Sequence, residues 1–175
     1  MIAIRPMLIG CLLATHIVPV GGCSSAPSEP VTPEPEVTFT GRYEGSFEMS
    51  EVKLGGVLPL AAHPVELKIT LSQSDADLKG MGSATNLLGD LAALAFVTGA
   101  QRGDIKGMVV DGVAELSLDI PPFGAPPAPA SIVFVGTVTE NGLSGQCRSS
   151  VAGDESTPAP CTLSRVKADA ALTGQ

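Results

Sequence analysis

Apolar and polar residues alternate without exception in VELKITLS, with Val65, Leu67, Ile69 and Leu71 on one face and Glu66, Lys68, Thr70 and Ser72 on the other. A period of two is that of a strand with one buried face. VAELSLDI repeats it, setting Ala114, Leu116, Leu118 and Ile120 inward against Glu115, Ser117 and Asp119. SIVFVGTVT is β-branched and apolar on both faces, which predicts that its outer face is covered. Asp111-Gly112 is a strong hairpin signal, because glycine readily takes the positive φ of a type I′ turn.

A weak repeat reinforces the strand reading. SDADLKG, QRGDIKG and TENGLSG each place a polar turn before an aliphatic residue, a polar residue and a glycine. Gly80, Gly107 and Gly145 then fall early in the returning strands, where glycine marks a bend or a close approach of backbones. Between residues 37 and 168 the pattern predicts an all-β domain of about eight strands, a small antiparallel up-and-down barrel or, alternatively, a β-sandwich. TNLLGDLAALAFVTG departs from period two. Leu87, Leu88, Leu91, Leu94 and Ala95 share a helical face and Asn86 could cap it, predicting one short helix over 86–97 that covers a barrel end. Gly89 opposes that helix, and a strand from Ala93 to Thr98 is the alternative. PPFGAPPAPA, 121–130, reads as a long loop.

The start of the chain follows different rules. Arg5 gives a short positive region, Met7 to Val20 an apolar run, and Gly21 and Gly22 a small-residue site before Cys23. This is the layout of a secretory signal, assigned here to residues 1–22. A spanning helix needs roughly 18 or more apolar residues, and Pro19 interrupts a run already short of that. Val20-Gly21-Gly22-Cys23 resembles the lipobox of bacterial lipoproteins, an aliphatic residue and two small ones before cysteine. The resemblance implies a diacylglyceryl thioether on Cys23, cleavage before it and acylation of the new amino terminus. It makes membrane lipid a partner through the acyl chains and places the protein in the cell envelope. Ser24 stands where an aspartate would hold many Gram-negative lipoproteins at the inner membrane, which implies the outer membrane for a Gram-negative source. Residues 23–36 read as the lipidated terminus and a Pro-rich, extended linker, and 169–175 as a tail.

Cys147 and Cys161 remain as an even pair in a compartment that permits disulfides, and closing their loop should stabilise the fold by about 3 kcal/mol. A formal charge of −8 argues against nucleic acid. Catalysis finds little to stand on. His63 is the only histidine left after signal removal, and it precedes Pro64 in a predicted loop; no Gly-x-Ser-x-Gly elbow occurs. Asp75 and Asp77 make a poor calcium loop because Lys79 takes the next ligand position. Neither an enzyme nor a metal or other cofactor is expected.

With 44% hydrophobic but only 3% aromatic residues, the interior must be aliphatic. Either small inward residues such as Gly82, Ala84 and Gly136 leave a cavity for an apolar small molecule, or the core is filled and loops contact an envelope protein. FTGRYEGSF resembles the first strand of lipocalin-like (calycin) barrels, which begin with Gly-x-Trp and pack the Trp beneath an Arg from the chain's end. Gly41, Tyr43 and, in CTLSRV, Arg165 match those positions, with Tyr in place of Trp. The resemblance implies an apolar ligand cavity within the barrel.

Overall fold

The computed structural model describes residues 38–167. The lipobox residues Val20, Gly21, Gly22 and Cys23, the linker and the 169–175 tail lie outside them. The strands in chain order are β1 (Gly41–Met49), β2 (Val52–Leu54), β3 (Leu58–Leu60), β4 (His63–Ser74), β5 (Asp77–Thr85), β6 (Gln101–Val110), β7 (Val113–Phe123), β8 (Ala128–Thr139), β9 (Gly142–Val151), β10 (Asp154–Glu155) and β11 (Ala159–Arg165). Eight of them, β1, β4 to β9 and β11, form one antiparallel barrel, each pairing with its neighbours along the chain. β11 closes it by pairing with both β9 and β1, Leu163 against Leu143 and Tyr43 against Arg165. Closure leaves no barrel strand with an open edge. The small β2–β3 hairpin stands outside this ring, and β10 extends β9.

The alternating segments fold as their pattern dictates. Val65, Leu67, Ile69 and Leu71 are buried, as are Ala114, Leu116, Leu118 and Ile120. Asp111 (φ 51°) and Gly112 (φ 76°) carry the positive φ of a type I′ turn. Asp75 and Ala76 form a tight turn between β4 and β5, with Asp75 at φ 53°.

Four details differ from the sequence pattern, each for a local reason. QRGDIKG is strand throughout, the first part of β6, because its glycines face the interior rather than a turn. The Pro tract is mostly strand as well: β7 runs to Phe123 across a bulge and β8 starts at Ala128, so only Gly124–Pro127 turns. Proline is tolerated there because the bulge breaks the ladder's hydrogen-bond pattern. His63 opens β4 opposite Met49 and is buried. Val135 stays 44% exposed on the outer wall, so the apolar outer face of β8 is not fully covered by the described residues.

The segment 86–97 is neither an α-helix nor a strand. A single 3₁₀ turn at Gly89–Leu91 is followed by further turns. Asn86 (φ 67°), Gly89 (φ 48°) and Phe96 (φ 54°) all leave the right-handed region, so no helix can run through them. Asn86 does not cap; its side-chain amide donates to Pro64 O at 2.8 Å. The expectation that this segment covers a barrel end holds even though its helical form does not, since Leu87 and Leu88 are buried in the core.

Cys147 and Cys161 form a disulfide between β9 and β11, their Cα atoms 5.4 Å apart and both side chains buried. Replacing both by serine should lower unfolding free energy by about 3 kcal/mol through the freed loop of the unfolded chain. A denaturant midpoint unchanged from the oxidised protein would overturn that.

Candidate functional site

The barrel interior is the first place to look for a ligand, and it is full. A void within it measures about 20 Å³ and is lined by aliphatic side chains and Phe134. That is room for about one water, which an apolar lining would not hold. Of the two arrangements open to the sequence, the described residues adopt the filled one, because the barrel closes over its own glycines. A Cβ on Gly82 would lie 3.1 Å from Ile69, Ile105 and Leu118, which already occupy that space. At Gly136 it would lie 2.6 Å from Phe134 Cζ and 2.7 Å from Gly145 Cα. Small inward residues thus draw the walls together rather than leaving a hole.

Apolar space occurs instead at one end of the barrel, in a pocket of about 280 Å³. Four chain segments build it. The β2–β3 hairpin supplies Leu54 and Leu58; the 86–97 segment supplies Leu88, Leu91, Leu94 and Ala95. The β7–β8 connection contributes Phe123, Ala125, Pro126 and Ala128, and the end of β9 contributes Val151 and Ala152. Every lining residue is apolar. The volume sits at the lower edge of the ligand-pocket range, enough for a slender molecule.

Backbone hydrogen bonds hold these segments against one another. Ala125 N–H donates to Ala95 O at 3.0 Å, joining the β7–β8 connection to the 86–97 segment. Gly124 sits at φ 81°, a conformation that favours glycine, and a Cβ there would lie 3.2 Å from Val97. Gly55 N–H donates to the Asp154 carboxylate at 2.6 Å and fixes the hairpin to β10. Beneath the 86–97 segment, Gly89 packs over the His63 ring. His63 Nδ1–H donates to Ala61 O at 2.7 Å, while Nε2 is buried without a partner. No carboxylate among the described residues is buried.

The opposite end is polar and holds the residues singled out by the sequence. Tyr43 is fully buried, and its hydroxyl donates to Phe39 O at 2.9 Å. The Arg165 guanidinium lies 5.5 Å from the ring centroid and donates to Tyr43 Oη (3.2 Å), Thr38 O (2.9 Å) and Thr40 O (2.7 Å). Gly41, Tyr43 and Arg165 therefore meet, with Arg165 Nε 3.1 Å from where a Gly41 Cβ would stand. They form a structural clasp on the barrel floor rather than a cavity.

Sequence reasoning missed the pocket. Its signal was available in two places: the helical face of Leu88, Leu91, Leu94 and Ala95, and the apolar LGGVLPL, where a surface turn would be expected to carry charge. No family model, curated protein or solved structure matches this chain.

Proposed function

We propose that this chain is a lipid-anchored envelope protein whose barrel is a non-catalytic binding module, with its ligand, a small apolar molecule, held at the end of the barrel. The observation that carries the reading is the pocket of about 280 Å³ with a wholly apolar lining. Anchoring rests on Val20-Gly21-Gly22-Cys23 and its likeness to the lipobox, with Cys23 as the acylated residue and the outer membrane as its address in a Gram-negative cell. Affinity with lipocalin-like barrels is supported by the clasp of Gly41, Tyr43 and Arg165 and by the eight-stranded ring. The ligand position departs from that likeness, since the pocket lies outside a filled interior.

The filled interior favours a second reading, in which the domain is a protein-interaction module and the pocket receives a side chain of an envelope partner. Titration with N-phenyl-1-naphthylamine, a neutral fluorescent probe, separates the two. Saturable uptake of about one probe per chain is expected, and Ala128→Phe, which fills the pocket from β8, should abolish it. Absence of uptake by the folded protein would sink the small-ligand reading in favour of the interaction module.

A further inference from the structure

The two ends of the barrel differ in character more than solubility requires. Of the segments that build the pocket end, 52–60, 86–100 and 121–129 carry only Lys53 and Asp90 as charged side chains, while the β9–β10 side adds Asp154 and the Arg148–Glu155 pair at 3.1 Å. Glu51 stands at the hairpin's base, and Asp154 is engaged by Gly55 N–H. The other end carries Asp75, Asp77, Asp111, Glu140, Arg42 and Arg165 on or beside its turns. The β2–β3 hairpin, the 86–97 segment and the β7–β8 connection are thus nearly free of charge in an acidic chain.

That face also projects apolar side chains into solvent. Val57 is 85% exposed, Leu94 73% and Phe96 83%, with Leu58 beside them at 47%. Leu58 and Leu94 line the pocket, and Val57 and Phe96 lie in the same two segments. Phe96 is held in the left-handed region at φ 54°, a conformation bulky residues rarely adopt. Nothing in the described core is gained by it, since Phe96 is neither buried nor packed against the core. Clustered exposed apolar residues around an apolar pocket mark an interaction surface.

We infer that this end docks on a lipid bilayer and that the pocket's ligand is a hydrocarbon chain of a lipid in that bilayer, which rests on the reading of the pocket as an apolar binding site. Three features favour lipid over a protein partner. A protein interface pairs its apolar centre with a polar, hydrogen-bonding rim, whereas this rim is apolar and the end of β7 and the β7–β8 turn have prolines at 121, 122, 126 and 127 that offer no N–H. The tips come from two separate loops, Val57 and Leu58 from the β2–β3 hairpin and Leu94 and Phe96 from the 86–97 segment, each free to enter a fluid phase. The pocket has room for roughly nine methylene-sized groups, taking about 30 Å³ for each. With a net charge of −8, the protein should meet neutral rather than anionic headgroups. Thr38, the first described residue, lies at the end opposite the docking face, where its carbonyl accepts from Arg165 at 2.9 Å.

The chain contains no tryptophan, so Phe96→Trp in the full chain gives a single reporter at the tip. On adding phosphatidylcholine vesicles its emission should shift to the blue, and a nitroxide on the lipid acyl chains should quench it. Glu140→Trp, at the opposite end, should do neither, whatever holds the amino terminus to the vesicle. Adding Leu94→Asp to the tip reporter should weaken the response by about tenfold. A tip emission that stays water-like in the presence of vesicles, from protein that still takes up N-phenyl-1-naphthylamine, overturns bilayer docking and leaves the pocket reading standing. Loss of both overturns both. A blue shift that needs no vesicles and grows with protein concentration overturns it too, by assigning the face to a second copy of the chain.

Discussion

Gly136→Val and Gly145→Val should each unfold at urea concentrations where the parent is still fully native. The two glycines are register partners on β8 and β9 and both face inward. A Cβ on Gly145 would lie 2.6 Å from Gly136 Cα and would meet Val135 O. A Cβ on Gly136 would meet Phe134, Ser144 O and Gly145 Cα. Those obstacles are mostly backbone, so relief requires the strands to part rather than a side chain to turn. Overpacking a well-filled core costs about 1–3 kcal/mol where side chains can adjust, and more where they cannot. Against a typical total of about 5–15 kcal/mol, a loss above 3 kcal/mol from one residue is severe. Urea denaturation should show a midpoint far below the parent's with the slope unchanged. Gly55→Val, on the hairpin tip with open space around it, is the control for substitution itself, although its φ of 62° will add some strain. If Gly145→Val unfolds at the parent's midpoint, the walls are not drawn together as described.

The same glycines explain what could and could not be read from the sequence. Period two in VELKITLS and VAELSLDI reports which side of a strand is wet, and a barrel wall obeys that rule residue by residue. The order of strands followed from short turns such as Asp75-Ala76 and Asp111-Gly112, which leave only nearest neighbours to pair. Interior volume did not follow. Gly82, Ala84 and Gly136 announce small side chains but not where the opposite wall will be. Two outcomes, an open cavity and a tight closure, share one pattern, and the choice depends on how neighbours such as Ile69, Ile105 and Leu118 lean across.

The pocket was hidden for a related reason. Its lining comes from four connections that period counting treats as interruptions, and the apolar face of 86–97 is shared by a helix and by a coiled segment anchored on Asn86, Gly89 and Phe96. Backbone hydrogen bonds such as Ala125 N–H to Ala95 O, between residues far apart in sequence, set that segment's shape. In contrast, the disulfide was legible because only Cys147 and Cys161 remained once the amino-terminal cysteines were assigned elsewhere.

Tyr43→Ala should cost about 3–5 kcal/mol, the range for deleting a large buried ring, and it tests the clasp that the sequence singled out. The ring is fully buried at the polar end, where β1 pairs with β4 and β11. Its removal opens a cavity against the core and strips Arg165 of one hydrogen bond and of the ring beneath its guanidinium. Tyr43→Phe separates these contributions. It keeps the ring and should lose about 1 kcal/mol, because Phe39 O forfeits its donor. Arg165→Met removes the bonds to Thr38 O and Thr40 O but leaves the ring, and its cation–π share is about 0.5–1 kcal/mol at an exposed site. Neighbours sharing a hydrogen bond do not add, so the Tyr43→Phe, Arg165→Met double variant should lose less than the sum of the two single changes. Denaturant midpoints of the four proteins measure this directly. Strict additivity would mean that Tyr43 and Arg165 act separately. Tyr43 would then be a core aromatic that happens to lie near an arginine, and the likeness to lipocalin-like barrels would lose its main structural support. Probe uptake at the far end should be unchanged in Tyr43→Phe, since the clasp and the pocket lie at opposite ends of a filled barrel.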